Sequence, residues 1–130
     1  MFRALVRPLL ILCTFEILDA CIRTVPTPSP GTTCTCTAAQ ITFTPAQANR
    51  AGSIDSSFTG PSADGCSLTA QCLGDPGMVA FMQFNTNQGG PAENAAMTQN
   101  VEAPLECRNG QWFYRDRQVN EVNCQQAANG

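Results

Sequence analysis

Eight cysteines in 130 residues constrain this chain more than any other feature. Cytosolic glutathione keeps thiols reduced, whereas small secreted domains use paired cysteines as cross-links. The count points to an oxidising compartment and to a fold stapled by disulfides. The N-terminus agrees. Arg3 and Arg7 carry positive charge, residues 9–15 (Leu-Leu-Ile-Leu-Cys-Thr-Phe) form an apolar core, and Ala20 puts a small residue before Cys21. That is the composition of a secretory signal peptide over residues 1–20. The apolar run is far short of the ~20 residues that span a bilayer. Glu16 and Asp19 follow it, so no transmembrane segment is expected.

Residues 21–33 read CIRTVPTPSPGTT. Prolines at alternate positions can neither join a sheet ladder nor continue a helix. This is a Thr/Pro-rich extended linker, suited to O-glycosylation. The chain contains no Asn-X-Ser/Thr acceptor for N-glycans. A folded six-cysteine domain is expected over residues 34–124, with residues 125–130 as a C-terminal tail.

Within that domain the sequence alternates in two places. Cys66, Leu68, Ala70 and Cys72 fall on one side of a stretch whose other side is Ser67, Thr69 and Gln71. Successive strand side chains point to opposite faces, so this is a strand with one buried and one wet face. Val101, Ala103, Leu105 and Cys107 repeat the pattern. Pro104 has no N–H to donate, which predicts an edge position for this second strand. Asn109-Gly110 then signals a two-residue hairpin, because both turn positions need positive φ. Such a turn sets Arg108 opposite Gln111 and Cys107 beside Trp112. Residues 41–44, 78–85 and 119–124 are further short strand candidates. Residues 46–62 and 86–100, rich in Gly, Asn, Gln and Ala, read as long loops, with Pro45 able to open a short helix before Asn49. The fold class is all-β: a small, antiparallel, sandwich-like domain whose sparse apolar residues need help from disulfides.

Loss of Cys13 with the signal leaves Cys21, Cys34, Cys36, Cys66, Cys72, Cys107 and Cys124. The last six are the expected cystines, and six cysteines allow fifteen pairings. Cys66 and Cys72 lie six steps of ~3.3 Å apart on one strand, too far to bond each other. Cys34 and Cys36 share a face and should reach different partners. Cys21 is left over. It suits an intermolecular disulfide, either a Cys21-linked dimer or a bond to another secreted chain.

Three features in order carry a family resemblance. They are Cys34-Thr35-Cys36, the stretch from Gly65 to Cys72, and Cys107-Arg108-Asn109-Gly110-Gln111-Trp112 with Cys124 closing. Together they resemble the nematode six-cysteine (C-six) extracellular domain, a secreted family without an assigned molecular function. The resemblance covers residues 34–124 and implies location and fold class, with no catalytic residue to carry over. The Cys…Asn-Gly-x-Trp…Cys ending also looks like the end of a sushi module, but the rest of that pattern is missing.

Catalytic chemistry finds little to work with. The chain has no histidine, and all seven basic residues are arginine. Ser-His and Cys-His nucleophile pairs, Schiff-base lysines and histidine metal sites are therefore absent from the sequence. The acids between Asp55 and Glu121 are scattered, so no paired-carboxylate site stands out. Cys34, Cys36, Cys66 and Cys72 can be drawn as a thiolate zinc site, but the secretory route favours cystines. No cofactor or metal is expected, and the protein reads as a non-enzyme. Nucleic acid is not an expected partner, because no basic cluster exists to neutralise phosphates.

Phe113, Tyr114, Arg115 and Arg117 form the densest aromatic and basic segment. They are a candidate ligand patch, since Tyr and Arg dominate binding hot spots. The competing reading makes Trp112 and Tyr114 core, with Phe113 and the arginines on the second face. The expected function is an extracellular binding or adhesion module for a protein or glycan. Alternatives are a secreted effector, such as a protease inhibitor or antimicrobial protein, and a bacterial lipoprotein. In the last, Leu18-Asp19-Ala20-Cys21 acts as a lipobox and Cys21 carries lipid.

Overall fold

The computed structural model describes residues 34–130. The expected signal peptide, linker and Cys21 lie outside the described residues. Among the described residues nine strands follow one another: β1 (Thr42–Phe43), β2 (Ser53–Ile54), β3 (Ser56–Thr59), β4 (Ser67–Leu73), β5 (Met78–Phe84), β6 (Asn100–Arg108), β7 (Gln111–Tyr114), β8 (Arg117–Gln118) and β9 (Glu121–Ala128). Two short 3₁₀ turns, Ala38–Gln40 and Ala92–Ala96, complete the regular structure. The fold is all-β, as the alternating stretches require.

The strands form two sheets. One has the order β3-β4-β6-β7-β8. In the other, β9 is the hub: β5 runs antiparallel along one side, while β1 and β2 share its opposite side. Every pairing is antiparallel except that of β1 with β9. Leu68 faces Leu105, Ala70 faces Ala103 and Cys72 faces Val101 across β4 and β6, all buried. Their small central alanines leave room for Trp112 and, from the other sheet, Met82, Phe84 and Val122. Each large apolar side chain removed from water contributes about 1.5–3 kcal/mol, and together they define one shared core.

Three cystines close the structure, and their pairing is a result that alternation alone leaves open. Cys72–Cys124 joins β4 to β9 and so ties one sheet to the other. Cys36–Cys107 and Cys34–Cys66 fasten the N-terminal segment to β6 and to the residue before β4. As expected, Cys34 and Cys36 reach different partners and Cys66 does not bond Cys72. The closed spans of 32, 71 and 52 residues correspond to roughly 4 kcal/mol each of unfolded-state entropy removed.

Four expectations are corrected. β6 is not an edge strand, since it lies between β4 and β7. The Cys107 N–H donates to Cys66 of the β4 side, so strand alternation turns the Pro104 nitrogen the other way, towards β7. The register of β6 with β7 ends at Glu106–Phe113, so Pro104 sits past the end of β7, where no N–H is needed. Residues 46–62 are not one loop, because they contain β2 and β3. β2 has two half-buried residues and β3 four mostly exposed ones, so neither is long enough or buried enough to show an alternation. No helix follows Pro45: the chain instead makes two successive turns, in which the Arg50 N–H donates to the Gln47 carbonyl and the Ser53 N–H to the Arg50 carbonyl, before entering β2. Finally, β9 continues past Cys124 to Ala128, which pairs with Met78. Residues 125–128 belong to the sheet.

Candidate functional site

Two two-residue turns flank β7, one at each of its ends. Asn109 (φ 50°) and Gly110 (φ 76°) connect β6 to β7, with Arg108 opposite Gln111 and Cys107 beside Trp112 as the Asn-Gly signal requires. The Gly110 carbonyl accepts from Gln40 Nε2 at 2.8 Å. Trp112 is buried, and its Nε1–H donates to the Thr37 carbonyl at 2.8 Å. The indole thereby anchors the segment that the Cys36–Cys107 cystine also holds.

Tyr114 is buried too. Its hydroxyl donates to Glu93 Oε2 (2.6 Å) and accepts from the Ala92 N–H (2.9 Å). Burial, with the Glu93 hydrogen bond as a second cause, pushes the phenol above its ordinary range. The ring also packs against Phe84 of β5, with centroids 5.3 Å apart. Trp112 and Tyr114 are thus core residues, as the competing reading has it.

The four-residue patch divides, with Arg117 departing from the competing reading, which sets it on the face of Phe113. Phe113 points to the outer sheet face, where the Arg108 guanidinium lies 5.7 Å from its ring centroid. Arg108 also pairs with Glu106 at 2.7 Å and approaches Asp116 at 4.0 Å. Arg117 is the cross-strand partner of Tyr114 and so shares its side of the sheet. Arg115 sits over the Tyr114 ring at 5.3 Å. Among the described residues, neither Arg115 nor Arg117 pairs with a carboxylate. Together with Tyr114, Asp116 and Gly90 they surround an open hollow of about 350 Å³. Gly90 is the residue that sequence reasoning missed. The Gly89-Gly90-Pro91 run signals only a turn, not that the turn closes one wall of this hollow.

The β7–β8 turn is Arg115-Asp116, and Arg115 has φ 53°. Glycine or asparagine takes that conformation at little cost, and arginine does not. Asp116 is fully exposed at the tip.

The other turn rich in functional groups is committed internally. A shallow depression of about 470 Å³ lies beside Cys34, Pro61, Ser62 and Asp64. There the Asp64 carboxylate accepts from the Ser62 hydroxyl and from the Cys66 N–H, which holds its pKa below the ordinary value. The four sulfurs that can be drawn as a zinc site are divided among three different bridges. No helix among the described residues is long and apolar enough to cross a membrane.

No protein-family model matches the chain, and no solved structure matches it. It is similar to two proteins of Caenorhabditis elegans. One, "Uncharacterized protein C30G12.4", is 41% identical over 131 aligned residues, which cover 88% of this chain and 50% of that protein. The other, "Putative uncharacterized protein F40H6.5", is 34% identical over 68 residues, covering 50% of this chain and 5% of that protein. The chain thus spans about half the length of the first relative and a small part of the second. The similarity is to nematode proteins, in agreement with the source of the six-cysteine resemblance, although no family model supports that family itself.

Proposed function

We propose that this protein is secreted and acts as a non-catalytic extracellular binding module. The β7–β8 turn is its ligand-contacting end, and a carboxylate or sulfate group of an extracellular glycan is the chemical group it grips. Three cystines support secretion, because such bridges persist in oxidising compartments.

The observation that carries the binding reading is Arg115. An arginine occupies a left-handed backbone position at which glycine is cheaper, and its guanidinium and that of Arg117 border one hollow without a carboxylate partner among the described residues. Backbone strain of this kind concentrates at functional sites, and paired guanidinium forks match planar oxyanions. The hollow is at the small end of the range for ligand pockets, the size of a sugar unit rather than of a protein face. The exposed large apolar residues Phe58, Leu73 and Met97 lie elsewhere in the sequence, so an aromatic protein hot spot is not built here. A net charge of −3 gives no long-range attraction for a polyanion, so affinity rests on these local contacts.

The test titrates the secreted protein with uronate, sulfated and neutral oligosaccharides by heteronuclear NMR. Shifts confined to residues 114–117 and Gly90 are expected with the charged sugars, to be weakened by salt and lost in Arg115→Gly and Arg117→Gln. Equal binding by wild type and both variants, or no binding at all, sinks the site. Hydrolysis of any of these sugars by the purified protein sinks the non-catalytic reading. Intact mass before and after reduction, with alkylation of free thiols, tests the disulfide scaffold and the fate of Cys21. Several free thiols in the native protein would overturn the secreted assignment.

A further inference from the structure

We infer that residues 85–98 form a strap guarding the outer edge of β5, and that the edge beneath it is a surface through which two copies of this chain pair when the strap lifts. The strap shares Gly90 with the wall of the ligand hollow and is clamped by Tyr114, but the inference rests on the hydrogen bonds of the β5 edge and not on the ligand reading.

β5 has β9 on one side only. On the other side its outward backbone groups fall on alternate residues, as a strand requires, and the strap meets the N–H groups of Ala80, Met82 and Phe84. The Ala80 N–H donates to the Thr98 carbonyl (2.9 Å) and the Phe84 N–H to the Gly89 carbonyl (2.9 Å). Between them the strap supplies a side chain. Asn94 Oδ1 accepts from the Met82 N–H at 2.9 Å, and Asn94 Nδ2 donates to the Met82 carbonyl at 2.8 Å. A carboxamide carries the same donor and acceptor as a peptide group, so Asn94 takes the place of one residue of a neighbouring strand. Three successive outward N–H groups of the edge are thus satisfied without a neighbouring strand.

The strap is tightly fitted. A Cβ at Gly90 would collide with the Met82 carbonyl oxygen and with Asn94 Nδ2, so only glycine passes there. The hydrogen bonds of Tyr114 to Glu93 and Ala92 clamp the middle of the strap. Both ends are strained. Asn85 (φ 49°) and Thr86 (φ 64°) at one end and Met97 (φ 50°) at the other lie in the left-handed region, where a β-branched threonine is a true outlier. Opening relieves that strain and releases a ready-made edge.

The occupant follows from the strand's own chemistry. Met78-Val79-Ala80-Phe81-Met82-Gln83-Phe84 contains no charge and no proline. Uncharged, proline-free strands of this length are the ones that self-pair when exposed. An antiparallel partner copy brings the same hydrogen-bonding groups about a two-fold axis, with no like charges opposed.

The test uses the full secreted chain and Asn94→Leu, which keeps the branching at Cγ and removes both hydrogen bonds. In wild type, the Ala80, Met82 and Phe84 amides should exchange with deuterium at least about tenfold faster than those of Phe81 and Gln83. In Asn94→Leu, Met82 exchange should rise at least a further tenfold, and light scattering should show a concentration-dependent dimer that falls apart in SDS without reductant. A Cys21-linked dimer would survive SDS. Adding Gln83→Lys should restore the monomer while Met82 exchange stays fast. Equal protection of both sets of β5 amides in wild type would overturn the strap, whether or not the variant folds. Fast Met82 exchange in a variant that stays monomeric would overturn the second copy as occupant.

Discussion

The two hairpin turns that flank β7 have the same length and opposite sequence logic. Asn109-Gly110 supplies the residue types that a tight turn wants, at φ 50° and 76°. Arg115-Asp116 does not, yet Arg115 still adopts φ 53°. The first turn holds itself by local conformation, and Gln40 and the Cys36–Cys107 cystine reinforce it. The second is held by what lies beneath it, the buried Tyr114 with its bonds to Glu93 and Ala92. A turn built for the fold can be read from two residues. A turn that keeps a costly residue points to a use for that side chain.

The largest break in this contrast is removal of the frame under the first turn. Cys36→Ser with Cys107→Ser should cost about 4 kcal/mol and lower the Tm by more than about 15 °C, measured by calorimetry. Next comes Gly110→Ala. The added Cβ meets only Thr35 Oγ1 at an ordinary 3.5 Å, so the cost is conformational, about 1 kcal/mol of destabilisation by denaturant titration. Arg115→Gly should act in the opposite direction, stabilising by about 0.5 kcal/mol as strain relief outweighs the added freedom of the unfolded chain. A loss of stability there would mean that the arginine serves the fold.

A weaker contrast depends on pH. The Tyr114 phenol titrates above its ordinary value in the folded state, through burial first and the Glu93 bond second. Its contribution is fully present below pH ~10 and is lost as pH rises through the folded-state value. Tyr114→Phe should flatten that alkaline decline in thermal melts. Smallest of all, Asp116→Asn removes only an exposed 4.0 Å approach to Arg108 and should change stability by less than about 0.5 kcal/mol.

Much of the larger sheet was legible in the sequence because its signals are local. Leu68, Ala70 and Cys72, with Val101, Ala103 and Leu105, alternate within single strands, and burying one face makes that period visible. The candidate site was legible only in outline. The run from Phe113 to Arg117 is conspicuous in a chain with so few charges, but the division of Phe113 from Arg117 depends on where the turn falls. Gly90 and Asn94 gave no functional signal at all, because their roles exist only against Met82, a residue of another segment. β2 and β3 were hidden for a related reason. A strand of two half-buried residues, or of four mostly exposed ones, leaves no period.

By itself, the sequence determined a cystine-stapled scaffold, an all-β class, two half-buried strands and the Asn109-Gly110 hairpin. Each follows from residue chemistry or from neighbours a few positions apart. Tertiary structure alone decided which cysteines meet, that Pro104 lies in an interior strand beyond the end of β7, and that β9 runs on to Ala128. It also decided that a side-chain amide completes the edge of β5. These outcomes turn on contacts between segments distant in the chain, where the geometry of the assembled sheets selects among options that local sequence leaves equal.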